Sequence, residues 1–249
     1  MKDIISRLSE RGRRIAFKYA PEYKRVIEEQ PIAHRYKKVV PRFEKMIEEG
    51  ELKNAFKDSD LSELEIVTVH NYNEKTLIER CLDYLGITDY TVLKHPDSDW
   101  RMTYKYLYLL EFIDECEKPY ILFCDARDTI FMDDPAKILP LFKEFECEAV
   151  FNATMSPRGI FKSYKWAIIL YWWHRKVSRT GWMKKYPNAG VFIGKKEFVR
   201  EICKIMMFYC SKIGCKWGPH SDQDILRCIY PWLWPRMKVD YYNKIVYRN

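Results

Sequence analysis

Short apolar runs alternate with amphipathic stretches through most of the chain, and their order predicts the fold class. Runs of strand length, rich in β-branched and aromatic residues, lie at 65–70, 90–94, 119–124, 149–152, 187–194 and 238–247. Helical patterns lie between them, at 74–85, 101–112, 135–145, 197–212 and from 221 onwards. Such an alternation is typical of a mostly parallel central sheet with helices on both faces. We therefore expect an α/β fold.

Capping residues and glycines refine this prediction. Asn73 is placed to cap the helix at 74–85, and Gly86 is placed to end it because glycine adopts the left-handed conformation found there. Ser221 is placed to cap the helix that follows it. Gly190 and Gly194 lie inside an apolar run, which predicts that another backbone approaches closely.

Residues 1–60 differ from the rest, and we expect them to form a basic helical extension of a main domain at 61–249. They hold 15 Lys or Arg against 11 Asp or Glu, which is half of the chain's net charge of +8. Pro41 fits the first turn of one helix in this extension. A helical cap on the main domain is the favoured interpretation. A basic amphipathic element on a membrane or acidic partner is the alternative, in which Arg11, Arg13, Arg14 and Lys18 would supply the charge.

The remaining composition indicates a globular protein. With 47% hydrophobic and 31% charged residues in 249 positions, the chain can bury a core. The Trp-rich run at 166–173 is too short to span a bilayer, and we expect it to cover the site or pack on the core, with interfacial membrane contact as the alternative. The start of the chain lacks the apolar segment of a secretory signal. We therefore expect a cytoplasmic protein, with peripheral membrane contact left open.

The eight cysteines include no CxxC pair and no Cys/His cluster with the spacing of a zinc site. Most lie inside apolar segments, so we expect reduced, buried thiols. Cys203, Cys210 and Cys215 are close enough in sequence to leave a disulfide open.

Residues 119–128, with the sequence PYILFCDARD, predict a site. The apolar part is typical of a strand buried on both faces, and it ends in Asp125 and Asp128 with Arg127 between them. Ligands of open α/β sheets bind beyond the carboxyl ends of such strands, and two carboxylates there suit one hard cation. The simpler alternative is that Asp125 caps the turn while Asp128 is solvated.

Five motifs in this order, ILFCDARD, AVFNA, NAGVFIG, SDQDIL and VDYYNKIVY, resemble the glycosyltransferase domain of procollagen lysyl hydroxylases and related GT-A glycosyltransferases. The resemblance covers about residues 64–247. It implies a Rossmann-like GT-A fold, with a nucleotide-sugar donor and a divalent metal, Mn²⁺ or Mg²⁺, at the carboxyl edge of the sheet.

The resemblance also implies residue roles. Asp125 and Asp128 match the metal-binding acids of the DxD-type motif, and Asp222 and Gln223 match a downstream acidic pocket that we assign to catalysis. The expected donor-binding residues are Asp125, Arg127, Lys105, Asn188, Ala189 and Gly190. A histidine that completes the metal site in the family, after the last strand, has no counterpart here. His220, Asp240 or water could take its position.

The chemistry of sugar transfer agrees with these residue types. Loss of a nucleoside diphosphate leaves negative charge that a metal ion and a fixed cation, Arg127 or Lys105, would stabilise. The sugar carbon becomes oxocarbenium-like, so Asp222 could stabilise it or accept the acceptor's proton. We expect transfer from a nucleoside-diphosphate sugar, with UDP-sugars first, to a hydroxyl of a glycan, a protein or a lipid-linked sugar.

Three other classes compete with this expectation. A nucleotidyltransferase would use the same metal and diphosphate but attack phosphorus. An aspartyl-phosphate phosphatase needs DxDxT, and the spacing of Asp125 and Asp128 does not match it. A non-catalytic basic nucleic-acid-binding module ranks last, because the basic residues are scattered among acids and nucleic acid is not an expected partner.

Overall fold

A computed structural model describes residues 31–34, 36–50, 56, 58–154, 173, 176–177, 186–213 and 221–248. The predictions for the basic helix near the N-terminus, for most of the Trp-rich run, and for His220 and Cys215 lie outside these residues. The strands are β1 Ile32–His34, β2 Leu64–His70, β3 Thr91–Lys94, β4 Tyr120–Cys124, β5 Thr129–Phe131, β6 Ala149–Thr154, β7 Tyr186–Lys195, β8 Met237–Asp240 and β9 Val246–Arg248. The helices are α1 Tyr36–Glu48, α2 Leu77–Leu85, α3 Tyr104–Glu115, α4 Ile138–Lys143, α5 Lys196–Ile213 and α6 Ser221–Leu233.

The fold is α/β, as expected, but its six-stranded sheet is mixed instead of mostly parallel. The strand order is β3-β2-β4-β7-β6-β8. β7 runs antiparallel to both of its neighbours, β4 and β6, while β2 pairs in parallel with β3 and β4, and β6 with β8. The prediction of a mostly parallel sheet was wrong because a strand buried on both faces is apolar whichever way it runs.

Helices cover both faces of this sheet, as predicted. Alternate residues of β4 point to opposite faces, so Leu122 and Cys124 join one core cluster, while Ile121 and Phe123 join the other. The first cluster includes side chains of α1, α2 and α4, and the second includes side chains of α3, α5 and α6. Among the helices of the described residues, none is both long and apolar enough to cross a bilayer.

A second, three-stranded sheet was not predicted. β1 pairs antiparallel with β5 and parallel with β9. The single strand expected at 238–247 is therefore two strands, β8 and β9, in different sheets. Asp240 separates them, because its carboxylate accepts hydrogen bonds from the backbone N–H groups of Lys244, Ile245 and Val246 at 2.7, 2.8 and 3.0 Å. Residues 32–34, placed in a helical extension, form strand β1, and the boundary at residue 60 stays a prediction.

Several helix boundaries differ from the expected ones. α2 begins one turn later than predicted, because Thr76 and Glu79 form a capping box that replaces Asn73 as its start, whereas Gly86 ends it in the left-handed conformation as expected. Pro41 lies inside α1 and not in its first turn. The helix expected at 135–145 is a 3₁₀ turn, Pro135–Lys137, followed by α4.

The prediction of reduced thiols is confirmed for the cysteines that the structure describes as free, and the prediction of burial is confirmed for most of them. They include Cys81, Cys116, Cys124 and Cys203, which are buried, and Cys147 and Cys228, which are half-buried. Burial raises the pKa of Cys81 and of Cys203 to about 12, so both remain protonated at neutral pH.

Candidate functional site

The carboxyl end of β4 brings together motifs that are far apart in the sequence. The backbone N–H of Asp125, the first residue after β4, donates to the carbonyl of Gly190 at 2.7 Å. The ammonium group of Lys105 donates to the carbonyl of Ala189 at 3.2 Å. One edge of the sheet therefore holds three parts of the chain. They are the acidic turn (residues 125–128), the NAG segment of β7 (residues 188–190) and the start of α3.

An irregularity in β7 makes these carbonyls available. On β6, Phe151 pairs with Phe192, but the next residue, Asn152, pairs with Asn188. Residues 189–191 are skipped in this ladder, and the Asn188 side chain stabilises the bulge by accepting from the Gly190 N–H at 3.0 Å. The skipped residues turn their polar groups toward β4 and Lys105 instead.

Lys105 and Asp222 form a buried ion pair within this edge. Lys105 Nζ lies 2.5 Å from Asp222 Oδ2, and the side chains are only 4% and 3% exposed. Asp222 Oδ1 accepts from the Gln223 N–H at 2.8 Å, and the Tyr106 hydroxyl donates to Oδ2 at 3.5 Å. The structure thus joins the first turn of α6 to the first turn of α3.

The charge state of Lys105 follows from its neighbours. Burial by itself lowers the pKa of Lys105, but the carboxylates of Asp222 and Asp125 outweigh burial, and the net pKa is raised. Lys105 is therefore protonated at neutral pH. Arg101, the first residue of the helix expected at 101–112, precedes α3 and pairs with Asp99 at 3.2 Å on the surface.

The acidic turn itself lies at the surface. Asp125 and Asp128 are partly exposed and Arg127 is exposed. The guanidinium of Arg127 lies over the ring of Tyr72, 4.8 Å from its centroid, and Nη1 donates to the Tyr72 hydroxyl at 3.4 Å. The turn also contacts α2, because the Ala126 carbonyl accepts from the backbone N–H of Ile78 at 3.2 Å.

The donor chemistry of this turn suits a hard cation. Carboxylate oxygens from Asp125 and Asp128 are the ligand type that Mn²⁺ and Mg²⁺ take in proteins. Within the part of the chain that the structure describes, there is no group of three or more His, Cys, Asp or Glu placed to hold a metal. Asp240, considered above for the position of the absent histidine, is buried, and its oxygens accept three backbone hydrogen bonds in the β8–β9 turn.

Sequence reasoning missed two residues that contact this site and a third that lies behind one of them. Tyr106 contacts Asp222, Tyr72 contacts Arg127, and His70 contacts Tyr72. His70 ends an apolar strand, and a polar residue in that position was a usable signal. Gln223 was predicted, and its Oε1 is buried with no hydrogen-bond partner among the described residues.

A cavity of about 520 Å³ lies at the opposite edge, near the amino ends of β4, β6 and β8. Of the four cationic side chains that line it, three have partners within the described residues. Lys143 pairs with Glu63 at 3.1 Å, Arg236 pairs with Glu148 at 3.0 Å, and Lys238 donates to a backbone carbonyl at 2.6 Å. Most of the positive charge there is already paired, so the acidic turn remains the candidate site.

No protein-family model matches this chain, and the search of curated proteins found no match. Similarity to a named protein therefore assigns no activity to it. A function has to be inferred from the chemistry of the residues at the carboxyl end of β4.

Proposed function

We propose that this chain is a metal-dependent glycosyltransferase of the GT-A type. It would move a sugar from a nucleoside-diphosphate sugar, with UDP-sugars as the first donors to test, to an acceptor hydroxyl. One observation supports the proposal most. Lys105 contacts the NAG segment and pairs with Asp222, while the backbone of Asp125 binds that same segment. Three motifs expected to act on one donor thus lie at one strand end, the usual ligand position of open α/β sheets.

The acidic turn would bind the donor's diphosphate. Asp125 and Asp128 would hold Mn²⁺ or Mg²⁺, which supplies Lewis-acid stabilisation of the leaving diphosphate. Arg127 is held beside this turn by the Tyr72 ring, and a fixed cation there favours the negative charge of the leaving group.

The buried ion pair would act on the sugar. Because Asp222 is paired with a protonated lysine, it is better suited to stabilising positive charge on the sugar carbon than to accepting a proton. Lysine carries three N–H donors, and two of those on Lys105 go to Asp222 and Ala189. The third N–H of Lys105 and the buried Oε1 of Gln223 would hydrogen-bond donor oxygens and hydroxyls.

The first experiment is a thermal melt with Mn²⁺, with UDP, GDP, ADP or CDP, and with each metal–nucleotide combination. We expect one combination to raise the Tm by several degrees and either component alone to do much less, because a ligand of the native state stabilises it by mass action. A Tm that no combination changes would contradict the proposal. Incubation with the sugar donor then separates the two classes. Glycosyl transfer breaks the bond between the sugar carbon and the diphosphate and releases the nucleoside diphosphate, whereas nucleotidyl transfer from the same donor breaks the bond between the two phosphates and releases a sugar 1-phosphate.

Variants of the acids separate their roles. Asp125→Asn and Asp128→Asn should each abolish the Tm rise with metal and nucleotide yet leave a folded protein. Asp222→Asn should keep the rise and lower turnover about 100-fold or more, the scale of losing one stabilising group of the transition state. If metal-dependent nucleotide binding survives in both Asp125→Asn and Asp128→Asn, these acids do not bind the metal, and their role is limited to the structure of the turn.

A further inference from the structure

We propose that His70 is a positioning residue for the donor-binding turn at 125–128. The proposal rests on the function proposed above. It identifies a residue that holds the diphosphate-binding residues of the donor site in place. His70 is the last residue of β2 and is 1% exposed. Its imidazole touches two separate structures, and each of them contacts the acidic turn.

The contacts of His70 define its tautomer. Nδ1 accepts a hydrogen bond from the backbone N–H of Tyr72 at 3.1 Å, so Nδ1 carries no proton. The proton of the neutral ring is then on Nε2, which lies 3.2 Å from Glu79 Oε2 in a poorly aligned contact. Burial is the largest effect on the ring and lowers the pKa of His70, which favours this neutral form.

The first route to the acidic turn runs through Tyr72. The rings of His70 and Tyr72 stack with centroids 5.6 Å apart and planes 21° apart. Together with the hydrogen bond to the Tyr72 N–H, this stacking sets the direction of the tyrosine side chain. Arg127 lies on the Tyr72 ring and donates to its hydroxyl. His70 therefore controls where the guanidinium of the acidic turn is held.

The second route runs through the start of α2. Glu79 Oε2, which contacts His70, also accepts from the N–H and the hydroxyl of Thr76, both at 2.7 Å. This capping box sets the first turn of α2, whose Ile78 N–H donates to the Ala126 carbonyl at 3.2 Å. Ala126 is the residue after Asp125, so the backbone of the acidic turn is held from this side.

A purely structural role would not need this arrangement. A buried polar ring is costly unless its nitrogens have partners, and an aliphatic residue would fill the end of β2 at less cost. Both ring nitrogens face groups that lead to residues 125–128. Partners that orient ligand-holding groups typically change ligand affinity by about 10- to 100-fold when removed.

Three variants separate the two routes. His70→Leu removes both polar contacts. His70→Asn places an amide oxygen near the position of Nδ1, so it keeps an acceptor for the Tyr72 N–H. His70→Gln reaches the position of Nε2, so it keeps a donor for Glu79. Val67→Ala is the matched control, because it shortens a buried side chain of the same strand that belongs to the core cluster on the face away from α2.

Hydrogen exchange tests the positioning without any ligand. We expect His70→Leu to speed amide exchange in peptides covering 71–73, 77–80 and 125–128 about 10-fold or more, while peptides of β6 and β7 exchange as in the wild type. His70→Asn should restore protection mainly at 71–73, and His70→Gln mainly at 77–80. Unchanged exchange at 125–128 in a folded His70→Leu protein would overturn the proposal, whether or not the chain is a glycosyltransferase.

Donor binding tests the consequence. Titration with Mn²⁺ and the nucleoside diphosphate that stabilises the wild type should show a Kd about 10-fold or more higher in His70→Leu, and a smaller rise in His70→Asn and His70→Gln. Val67→Ala should bind like the wild type. Equal loss in Val67→Ala and His70→Leu would show general destabilisation and overturn the positioning role. A wild type that binds no nucleotide refutes the proposed function, and the exchange data then decide the role of His70 in the turn.

Discussion

Lys105 is the residue whose environment constrains the site most tightly. It is 3% exposed, in contact with Asp222, and its pKa is raised in spite of burial. A buried ion pair adds little net stability compared with apolar residues of similar size, whereas removal of one partner leaves an uncompensated charge. A pair of this kind is more readily explained by the charge that it presents to a ligand than by stability.

Replacement of Lys105 by methionine should therefore destabilise the fold. We expect the free energy of unfolding to fall by about 3–5 kcal/mol, because Asp222 stays buried without its cation. The double variant Lys105→Met with Asp222→Leu should regain most of the stability but none of the turnover. Urea unfolding measures the loss of stability in Lys105→Met. If the free energy of unfolding of this single variant does not change, Asp222 is solvated or protonated there, and the expectation is wrong.

The pH dependence of stability should report on His70. Its pKa is lowered mainly by burial, and nearby Lys94 adds to the effect while Glu79 opposes it. The imidazole of His70 then binds a proton more readily in the unfolded chain than in the folded one. The contribution of neutral His70 to the free energy of unfolding is therefore complete above about pH 6.5 and is lost as the pH falls toward the folded pKa. Urea midpoints between pH 7.5 and pH 5 should fall more for the wild type than for His70→Gln. An equal fall of the urea midpoint in the two proteins would contradict the lowered pKa of His70.

At the scale of elements, the pairing of β6 with β7 shows why Gly194 is glycine. Gly194 lies opposite Ala149. A Cβ on Gly194 would lie 2.9 Å from Ala149 Cβ, Glu148 O and Val199 Cγ2. These neighbours belong to β6, to the residue before it, and to α5, so the close approach predicted for Gly194 is confirmed.

Gly194→Ala should lower the free energy of unfolding by about 1–3 kcal/mol, the usual cost of overpacking a core. Gly50→Ala is a useful comparison, because it has open space around it and a φ of +66°, so its cost of about 1–2 kcal/mol would come from backbone strain alone. Denaturant unfolding measures both. Since the β6–β7 pairing shapes the bulge next to the NAG segment, we also expect Gly194→Ala to weaken nucleotide binding, and Gly50→Ala to leave it unchanged.

At the scale of the whole molecule, the net charge of +8 could attract the protein to an anionic membrane surface. The basic helix that we predicted around Arg11 lies outside the described residues. Two tryptophans after Pro231 are exposed in the structure, Trp232 by 87% and Trp234 by 49%. Tryptophan favours the bilayer interface, and basic residues add attraction to anionic lipid.

Co-sedimentation with anionic and neutral vesicles, at low and moderate salt, distinguishes the two interpretations. The favoured interpretation, a helical cap, predicts no sedimentation in any of the four conditions. Electrostatic docking predicts binding that needs anionic lipid and weakens with salt. In that case, Trp232→Ser and Trp234→Ser should reduce binding, and a lipid-linked acceptor would become the first to test.

The amino-acid sequence by itself determined where most strands and helices lie, and it located the acidic turn at the end of β4. Those features depend on local periodicity and on residues such as Gly86, whose left-handed conformation needs only its own backbone freedom. Only the tertiary structure decided the direction of β7, the split between β8 and β9, and the pairing of Lys105 with Asp222. Direction and pairing depend on contacts between segments far apart in the chain, and apolar periodicity is the same for either strand direction. His70 belongs to this second group, because its role depends on Tyr72 and Glu79, which reach the acidic turn only in the folded protein.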